Sequence, residues 1–108
     1  MHVDMPEAIA LYLQAEDTDS VERLEEVFTA DAEVRDEGQV IRGLADIGAW
    51  KRAAKARYRY RVQPLAAREE AGTWHLRVRV AGDFPGSPVE LAYTIVLEDG
   101  RIARLRIG

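Results

Sequence analysis

The chain has 108 residues, of which 47% are apolar and 31% are charged, with a formal net charge of −4 and no cysteine. This length predicts one domain, spanning residues 1–108, that folds around a single core. No apolar run approaches the roughly 20 residues that span a bilayer, which argues against a membrane protein. The missing cysteine excludes disulfides and thiolate metal sites.

Charge divides unevenly along the chain. Residues 1–46 hold 13 Asp or Glu and three Arg, whereas residues 47–108 hold 12 Lys or Arg and six Asp or Glu. Such asymmetry can mark a nucleic-acid interface, but the basic residues alternate along predicted strands instead of forming a run. We therefore expect acidic helices packed near a basic sheet, with neither nucleic acid nor membrane as a partner. The start of the chain lacks the basic and apolar regions of a signal peptide, so we expect a cytoplasmic protein.

Helices are predicted over the first third of the chain. Pro6 suits a first helical turn, and Ile9, Tyr12 and Leu13 then recur at helical spacing. Residues 17–20 break this pattern. Asp19 and Glu22 resemble a capping pair for a second helix, with an inward stripe made of Val21, Leu24, Val27 and Phe28. We expect this helix to end over residues 29–31.

A short hairpin and a third helix follow. Ala32, Val34 and Asp36 alternate with polar residues, as in a half-buried strand that points Asp36 inward beside Val34. Glu37-Gly38 is predicted to turn the chain into residues 39–42. Gly43 then opens a helix with Leu44, Ile47 and Trp50 inward and Lys51, Arg52 and Lys55 on its polar side.

The remaining residues predict four antiparallel strands. Alternation places the first at residues 58–63, beginning at Tyr58, and the second at residues 73–80, with Trp74, Leu76 and Val78 on one face and His75, Arg77 and Arg79 on the other. Residues 82–88 are rich in turn formers, and two more strands follow at residues 89–97 and 102–107 on either side of a turn at residues 98–100.

This order of elements resembles the nuclear transport factor 2 / SnoaL-like superfamily, which includes ketosteroid isomerase. The residues that carry the resemblance are Tyr12, residues 27–36, Gly38, Arg42, Gly43, Ile47, Trp50, residues 84–88 and residues 100–105. The resemblance implies an α+β fold in which three N-terminal helices pack on a curved, mainly antiparallel sheet to form a cystatin-like cone. The resemblance is less specific about function, because the superfamily includes isomerases, polyketide cyclases, dehydratases and protein-binding adaptors.

Particular residues also resemble those of the isomerase. Asp36 is similar to its general base and Tyr12 to the phenol of its oxyanion hole, and the stretch between them aligns without a gap. An Asp in a partly apolar pocket can take a proton next to a carbonyl while a neutral donor holds the enolate oxygen. The second acid of that enzyme is missing, since its place falls at Tyr93. The resemblance therefore implies Asp36 and Tyr12 as catalytic residues.

We expect Tyr12, Asp36, Trp50 and Tyr93 to converge on one cavity between the helices and the concave sheet. Trp50, Tyr93 and Phe84 are the candidate ligand-binding residues. Desolvation in such a cavity would raise the pKa of Asp36. Simpler interpretations stay open: Tyr12 and Trp50 can be core aromatics, and Asp36 can serve only the turn that follows it.

Two functional hypotheses follow. The chain is an isomerase, cyclase or dehydratase acting on a small hydrophobic carbonyl compound, or it is a non-catalytic ligand-binding or dimerisation domain. No phosphate-binding loop, HExxH motif or EF-hand spacing occurs, so we expect neither metal nor cofactor. A homodimer is expected through the outer sheet face, with arginines near the interface paired with acids such as Glu90.

Overall fold

The computed structural model describes residues 5–18 and 24–108. Within them lie three helices, α1 (Glu7–Thr18), α2 (Leu24–Val27) and α3 (Leu44–Tyr58). Six strands complete the fold: β1 (Phe28–Asp36), β2 (Gln39–Arg42), β3 (Arg61–Glu70), β4 (Thr73–Ala81), β5 (Val89–Glu98) and β6 (Arg101–Ile107). The predicted α+β class, with helices packed on a curved and mainly antiparallel sheet, is confirmed. No helix of the described residues is long and apolar enough to cross a membrane.

The sheet is open and mixed. Its strand order is β2-β1-β6-β5-β4-β3, and the pairing of β1 with β6 is parallel while the other neighbours are antiparallel. Residues of positive φ at Glu37-Gly38, Ala71-Gly72 and Asp99-Gly100 form two-residue turns at the ends of three hairpins. Positive φ at both turn residues defines type I′, whose twist matches that of the flanking strands. The four C-terminal strands therefore form the antiparallel meander expected from the sequence.

Strand β1 begins earlier than the sequence predicts. We expected the second helix to include Phe28 and the strand to begin at Ala32, but α2 ends at Val27 and Phe28 already belongs to β1. Phe28 pairs with Ile102 across the parallel β1–β6 ladder, and both side chains are fully buried. This non-local pairing overrides the local helical spacing. The predicted cap at Asp19 and the inward Val21 lie outside the described residues.

Helix α3 is longer than predicted. It runs to Tyr58, which we had expected to begin a strand, because Ala, Lys and Arg dominate residues 51–57 and favour continuation of the helix. Arg59 then adopts a left-handed conformation with φ of 47°, and β3 begins at Arg61. Pro64 is tolerated in β3 because this strand lies at the edge of the sheet and has a register irregularity between Pro64 and Ala66.

The two faces of the sheet differ as the alternation in β4 predicts. Leu76, Val78 and Val80 are buried on the inner face, whereas Arg77 and Arg79 are exposed on the outer face. The helices pack on the inner face, where α1 contacts β3 and β6 and α3 contacts β1 and β2. The core therefore lies between the helices and the concave side of the sheet, which leaves one end available for a cavity.

Candidate functional site

A cavity of about 470 Å³ opens at this end of the core. Its walls come from the end of β1, from α3, from strands β4 to β6 and from the loop between β4 and β5. The lining residues are Asp36, Glu37, Trp50, Ala54, Tyr60, Val80, Phe84, Pro85, Gly86, Val89, Leu91, Tyr93 and Ile107. This volume lies in the range of about 300–1,000 Å³ that is usual for small-molecule sites.

Asp36 reaches the cavity through the alternation of β1. Ala32 and Val34 are fully buried on the inner face, and Asp36, two residues further on, is half-buried at the rim. Asp36 pairs with Gln39, so it is the last strand residue before the turn at Glu37-Gly38. The strand thus fixes a carboxylate where the apolar interior meets the opening.

Aromatic side chains from four parts of the chain surround this carboxylate. They are Trp50 of α3, Tyr60 in the connection after α3, Phe84 of the β4–β5 loop and Tyr93 of β5. Tyr93 is buried, and the other three are half-buried. The walls are therefore largely apolar, and Tyr60 and Tyr93 are the lining residues that carry a phenol hydroxyl.

The loop that carries Phe84 is held by the side chain of Ser87. The Ser87 Oγ accepts a hydrogen bond from the Gly82 backbone N–H at 2.9 Å, and the Ser87 N–H donates to the Phe84 carbonyl at 3.3 Å. These bonds close residues 82–87 into a compact loop, so Phe84, Pro85 and Gly86 present a defined wall to the cavity.

The charge of the lining has one sign. Among the described residues that line the cavity, Asp36 and Glu37 are ionisable acids and no Lys, Arg or His is present. Nor do the residues of the described ranges form any group of three His, Asp or Glu that could hold a metal ion. The arrangement can therefore take up a proton at a carboxylate, and the described residues that line it offer no cationic side chain.

The structure brings four of the five predicted site residues to this cavity: Asp36, Trp50, Phe84 and Tyr93. The fifth, Tyr12, is fully buried and is absent from the lining described above. Its ring packs edge-on against Phe28 and Tyr93, with centroid separations of 5.6 and 6.3 Å. Tyr12 thus contacts the Tyr93 ring within the core, and its role as an oxyanion donor stays a prediction.

Lys51 is the main correction to the sequence analysis of α3. We had placed it on the polar side of the helix, but it is 1% exposed, and its Nζ lies 4.4 Å from the centroid of the Tyr12 ring. An ammonium over the face of an aromatic ring is a cation–π contact. The sequence spacing indicated this burial, since Lys51 follows the buried Ile47 by one helical turn and so lies on the same side of the helix.

Nine of the thirteen lining residues were not among the predicted site residues. Tyr60 and Leu91 fell only within predicted strands, and Glu37 only in a predicted turn. Tyr60 shares its alternation with the buried Val62, which was the signal that it faces inward. Its role in the cavity depends on where α3 ends, which the sequence pattern misplaced.

The outer face of β1 presents a contrasting acid at Glu33. Its carboxylate accepts from Arg35 Nε at 2.6 Å and lies 3.3 Å from Arg42 Nη2. The hydrogen bond from Arg35, aided by the positive charges of Arg35, Arg42 and Arg104, lowers the pKa of Glu33 below its ordinary value. This acid is therefore held ionised by its neighbours, outside the cavity.

Helices on the concave side of an open, bent sheet, with a largely apolar cavity at one end, define the cone of the nuclear transport factor 2-like superfamily. The sequence profile of the SnoaL-like domain matches residues 9–105, and the chain belongs to this family.

Solved structures agree with this assignment. A Sinorhizobium meliloti protein provisionally named a polyketide cyclase is 39% identical, with a TM-score of 0.93 and coverage of 97% of this chain and 96% of that one. A Catenulispora acidiphila protein with a ketosteroid isomerase-like fold, solved in complex with trimethylamine, is 19% identical, with a TM-score of 0.84 and coverage of 97% and 86%.

An Agrobacterium tumefaciens protein provisionally named an isomerase of the SnoaL-like family is 18% identical, with a TM-score of 0.78 and coverage of 93% and 92%. At 19% and 18% identity, the similarities to the Catenulispora acidiphila and Agrobacterium tumefaciens proteins concern the fold alone. None of the curated proteins searched matches the chain.

Proposed function

We propose that the cavity binds a small hydrophobic carbonyl compound and that Asp36 is the general base of an isomerase, cyclase or dehydratase reaction. The observation that carries this proposal is the position of Asp36, a half-buried carboxylate at the rim of a cavity with largely apolar walls. A base in such surroundings can reach a bound substrate while the walls exclude competing water.

The chemistry requires a base and a donor. Asp36 would take a proton from the carbon next to the carbonyl, and the electron pair of that C–H bond would move onto the carbonyl oxygen. A neutral donor would then stabilise the enolate. Tyr93 and Tyr60 are the candidate donors among the lining residues, whereas Tyr12 is the donor that the family resemblance implies.

Similarity supports the reaction class. The Sinorhizobium meliloti protein covers nearly the whole chain at 39% identity and is provisionally named a polyketide cyclase, which is one of the reaction classes proposed here. Cyclases and isomerases of this kind share an enolate-forming step. One base in one apolar cavity would therefore serve either outcome.

Deuterium exchange tests this step without knowledge of the natural substrate. The probe is 2-tetralone, a bicyclic ketone with acidic protons next to its carbonyl, followed by NMR in D₂O. We expect the protein to accelerate exchange, and Asp36→Asn to reduce the enzymatic rate by about 10²–10⁴ because the general base is lost. Asp31→Asn, which changes an exposed acid of the same strand outside the lining, should retain the wild-type rate.

Binding of 2-tetralone without any acceleration of exchange would favour the alternative, a non-catalytic ligand-binding domain. Unchanged exchange in Asp36→Asn would remove Asp36 from the reaction while leaving the cavity as a binding site.

We also propose that two copies associate through the outer sheet face. Support comes from the exposed Arg61, Arg77 and Arg79, and from Glu90, whose Oε1 lies 4.0 Å from Arg77 Nε. Light scattering at micromolar concentration should give the mass of a dimer, and the mass of a monomer would contradict this assembly.

A further inference from the structure

We propose that Lys51 is a positioning residue of this cavity and that its buried ammonium group stabilises negative charge on the ligand through the pair Tyr12 and Tyr93. The inference rests on the proposed function, because the enolate is the species on which that negative charge would develop. Lys51 is not among the residues that line the cavity, so its effect would pass through its neighbours.

The first argument is the burial of a full charge. Lys51 is the one charged residue that is buried within the described ranges, with 1% of its surface exposed. Transfer of an ammonium group out of water is costly, and lysine is almost never fully buried unless it is paired. No buried side-chain nitrogen or oxygen of the described residues lacks a hydrogen-bond partner. The fold therefore holds a fixed positive charge inside a core whose polar groups are paired.

The second argument is the series of contacts from Lys51 to the cavity wall. Its Nζ lies 4.4 Å from the centroid of the fully buried Tyr12 ring. The Tyr12 ring in turn packs edge-on against Tyr93, with a centroid separation of 6.3 Å and an interplanar angle of 62°. Tyr93 is buried and lines the cavity. Two contacts therefore connect the ammonium group with a candidate donor for the enolate oxygen.

Helix α3 fixes the position of Lys51 relative to the same cavity. Trp50 and Ala54, one residue before and three residues after Lys51, both line the cavity. Ile47, one helical turn before Lys51, is fully buried. One regular element thus carries two lining residues and the buried cation, which keeps their relative positions constant.

The sign of this charge suits the proposed reaction. When Asp36 takes the proton, the electron pair of the C–H bond moves to the carbonyl oxygen and the ligand becomes an enolate. A positive charge favours the enolate over the neutral ketone, and in apolar surroundings this effect extends beyond direct contact. The proton then returns from Asp36 to carbon, so no oxidant or reductant is needed and Lys51 keeps its own proton throughout.

The carboxylates at the rim do not cancel this effect. Asp36 loses its negative charge when it accepts the proton, and Glu37 is exposed, so solvent screens its charge. Lys51 keeps its charge in the core, where screening is weaker. The electrostatic balance around the ligand therefore becomes more positive as the enolate forms.

Exchange kinetics with 2-tetralone separate this role from a purely structural one. Lys51→Met should lower kcat for deuterium exchange about tenfold and leave KM nearly unchanged, because the neutral ketone gains little from the charge. Lys51→Arg retains a positive charge and should recover part of the rate. Arg52→Met removes an exposed cation from the next position of α3 and, as the matched control, should change neither constant.

A ligand analogue tests the same charge without catalysis. 2-Naphthol shares its ring skeleton and oxygen position with the enol of 2-tetralone, and its neutral and anionic forms have different ultraviolet spectra. Asp36→Asn is the background, since its neutral amide resembles the protonated base. We expect Lys51→Met to lower the ratio of bound anion to bound neutral compound at pH 8 by about tenfold. Lys51→Gln, which is also neutral, should give the same result and replaces Lys51→Met if that variant does not fold.

The outcomes distinguish this inference from the proposed function. An unchanged kcat or an unchanged anion ratio in the neutral variants would overturn the role of Lys51, while a loss of exchange in Asp36→Asn would still establish the base. Equal losses in Lys51→Arg and Lys51→Met, or a rise in KM alone, would assign Lys51 to packing and likewise overturn it.

The analogue also separates the two proposals in the other direction. A wild-type protein without exchange activity, together with an anion ratio that depends on Lys51, would support the inference and contradict the catalytic role of Asp36. Failure of 2-naphthol to bind any of these proteins would overturn the inference, because the charge would then have no ligand to act on.

Discussion

The acids on the two faces of strand β1 have different surroundings. Glu33 points to the outer face, where Arg35 and Arg42 lie within 2.6 and 3.3 Å of its oxygens. Asp36, three residues later, points to the inner face and borders a cavity whose described lining contains no basic side chain. Strand alternation thus places one acid beside arginines on the outer face and the other at the rim of the cavity.

The same contrast holds for cations. On the outer face Arg77 is exposed and lies 4.0 Å from an exposed Glu90, whereas Lys51 is buried on the inner side against the Tyr12 ring. Outer-face charges are solvated and screened. Inner-side charges act in apolar surroundings, where each one has a larger effect on the ligand or on stability.

The largest expected effect comes from removing the two acids separately. Asp36→Asn should lower the rate of 2-tetralone exchange by about 10²–10⁴, whereas Glu33→Gln should leave the rate unchanged because Glu33 lies outside the cavity. Deuterium exchange followed by NMR measures both variants. An equal loss in Glu33→Gln would show that the two faces are not functionally distinct.

The second largest effect is expected on stability, when one cation is removed from the inner side of the sheet and another from its outer face. Lys51→Met keeps much of the apolar stem and loses the ammonium over Tyr12, so we expect a loss of about 0.5–2 kcal/mol in the free energy of unfolding. Arg77→Met, the control on the outer face, should cost less, in the range of about 0–1 kcal/mol for exposed ion pairs. Urea unfolding measures both, and a greater loss in Arg77→Met would reverse the comparison.

A smaller effect is expected from the loop that carries Phe84. Ser87→Ala removes the acceptor for the Gly82 N–H and should cost about 1 kcal/mol of stability. It should also weaken the binding of 2-tetralone, because Phe84, Pro85 and Gly86 belong to the cavity wall. Ser87→Thr retains a hydroxyl and should recover much of both losses. Unaltered stability and affinity in Ser87→Ala would mean that this hydrogen bond does not hold the wall.

The smallest effect concerns the titration of Glu33. Because Arg35 is the principal cause of its lowered pKa, Arg35→Gln should raise that pKa toward the ordinary value of 4.5. A lowered pKa in the folded state stabilises the protein above the pKa of the unfolded chain, and this contribution is lost as pH falls through the folded pKa. The variant should therefore lose less stability on acidification.

Carboxyl ¹³C NMR measures the pKa of Glu33, with Arg61→Gln at the opposite edge of the sheet as control. A Glu33 pKa that does not change in Arg35→Gln would contradict the assigned cause.

Local pattern predicted much of this architecture. Alternation in β4 identified the buried Leu76 and Val78, and the positive-φ pairs Glu37-Gly38 and Asp99-Gly100 lie at the predicted hairpin turns. Asp36 was placed inward by the same rule, because successive side chains of a strand point to opposite faces of the sheet. The sequence thus predicted the part of the site that depends on neighbours along the chain.

The misplaced features depend on distant contacts. Phe28 begins a strand because it pairs with Ile102, more than seventy residues later, and Lys51 is buried because the Tyr12 ring faces it. The position of Tyr12 relative to the cavity likewise depends on Tyr93 of β5. No pattern within one element reports such neighbours, so helical or strand spacing alone could not place these residues.

The most direct test of the inner-face site uses the two tryptophans of the chain. Trp50 lines the cavity, whereas Trp74 is outside its lining and lies six residues, or about 20 Å, along β4 from the lining residue Val80. Titration with 2-tetralone should shift the indole N–H signal of Trp50 in a saturable manner and leave that of Trp74 nearly unchanged. A saturable shift confined to Trp74 would contradict the assignment of the site to this cavity.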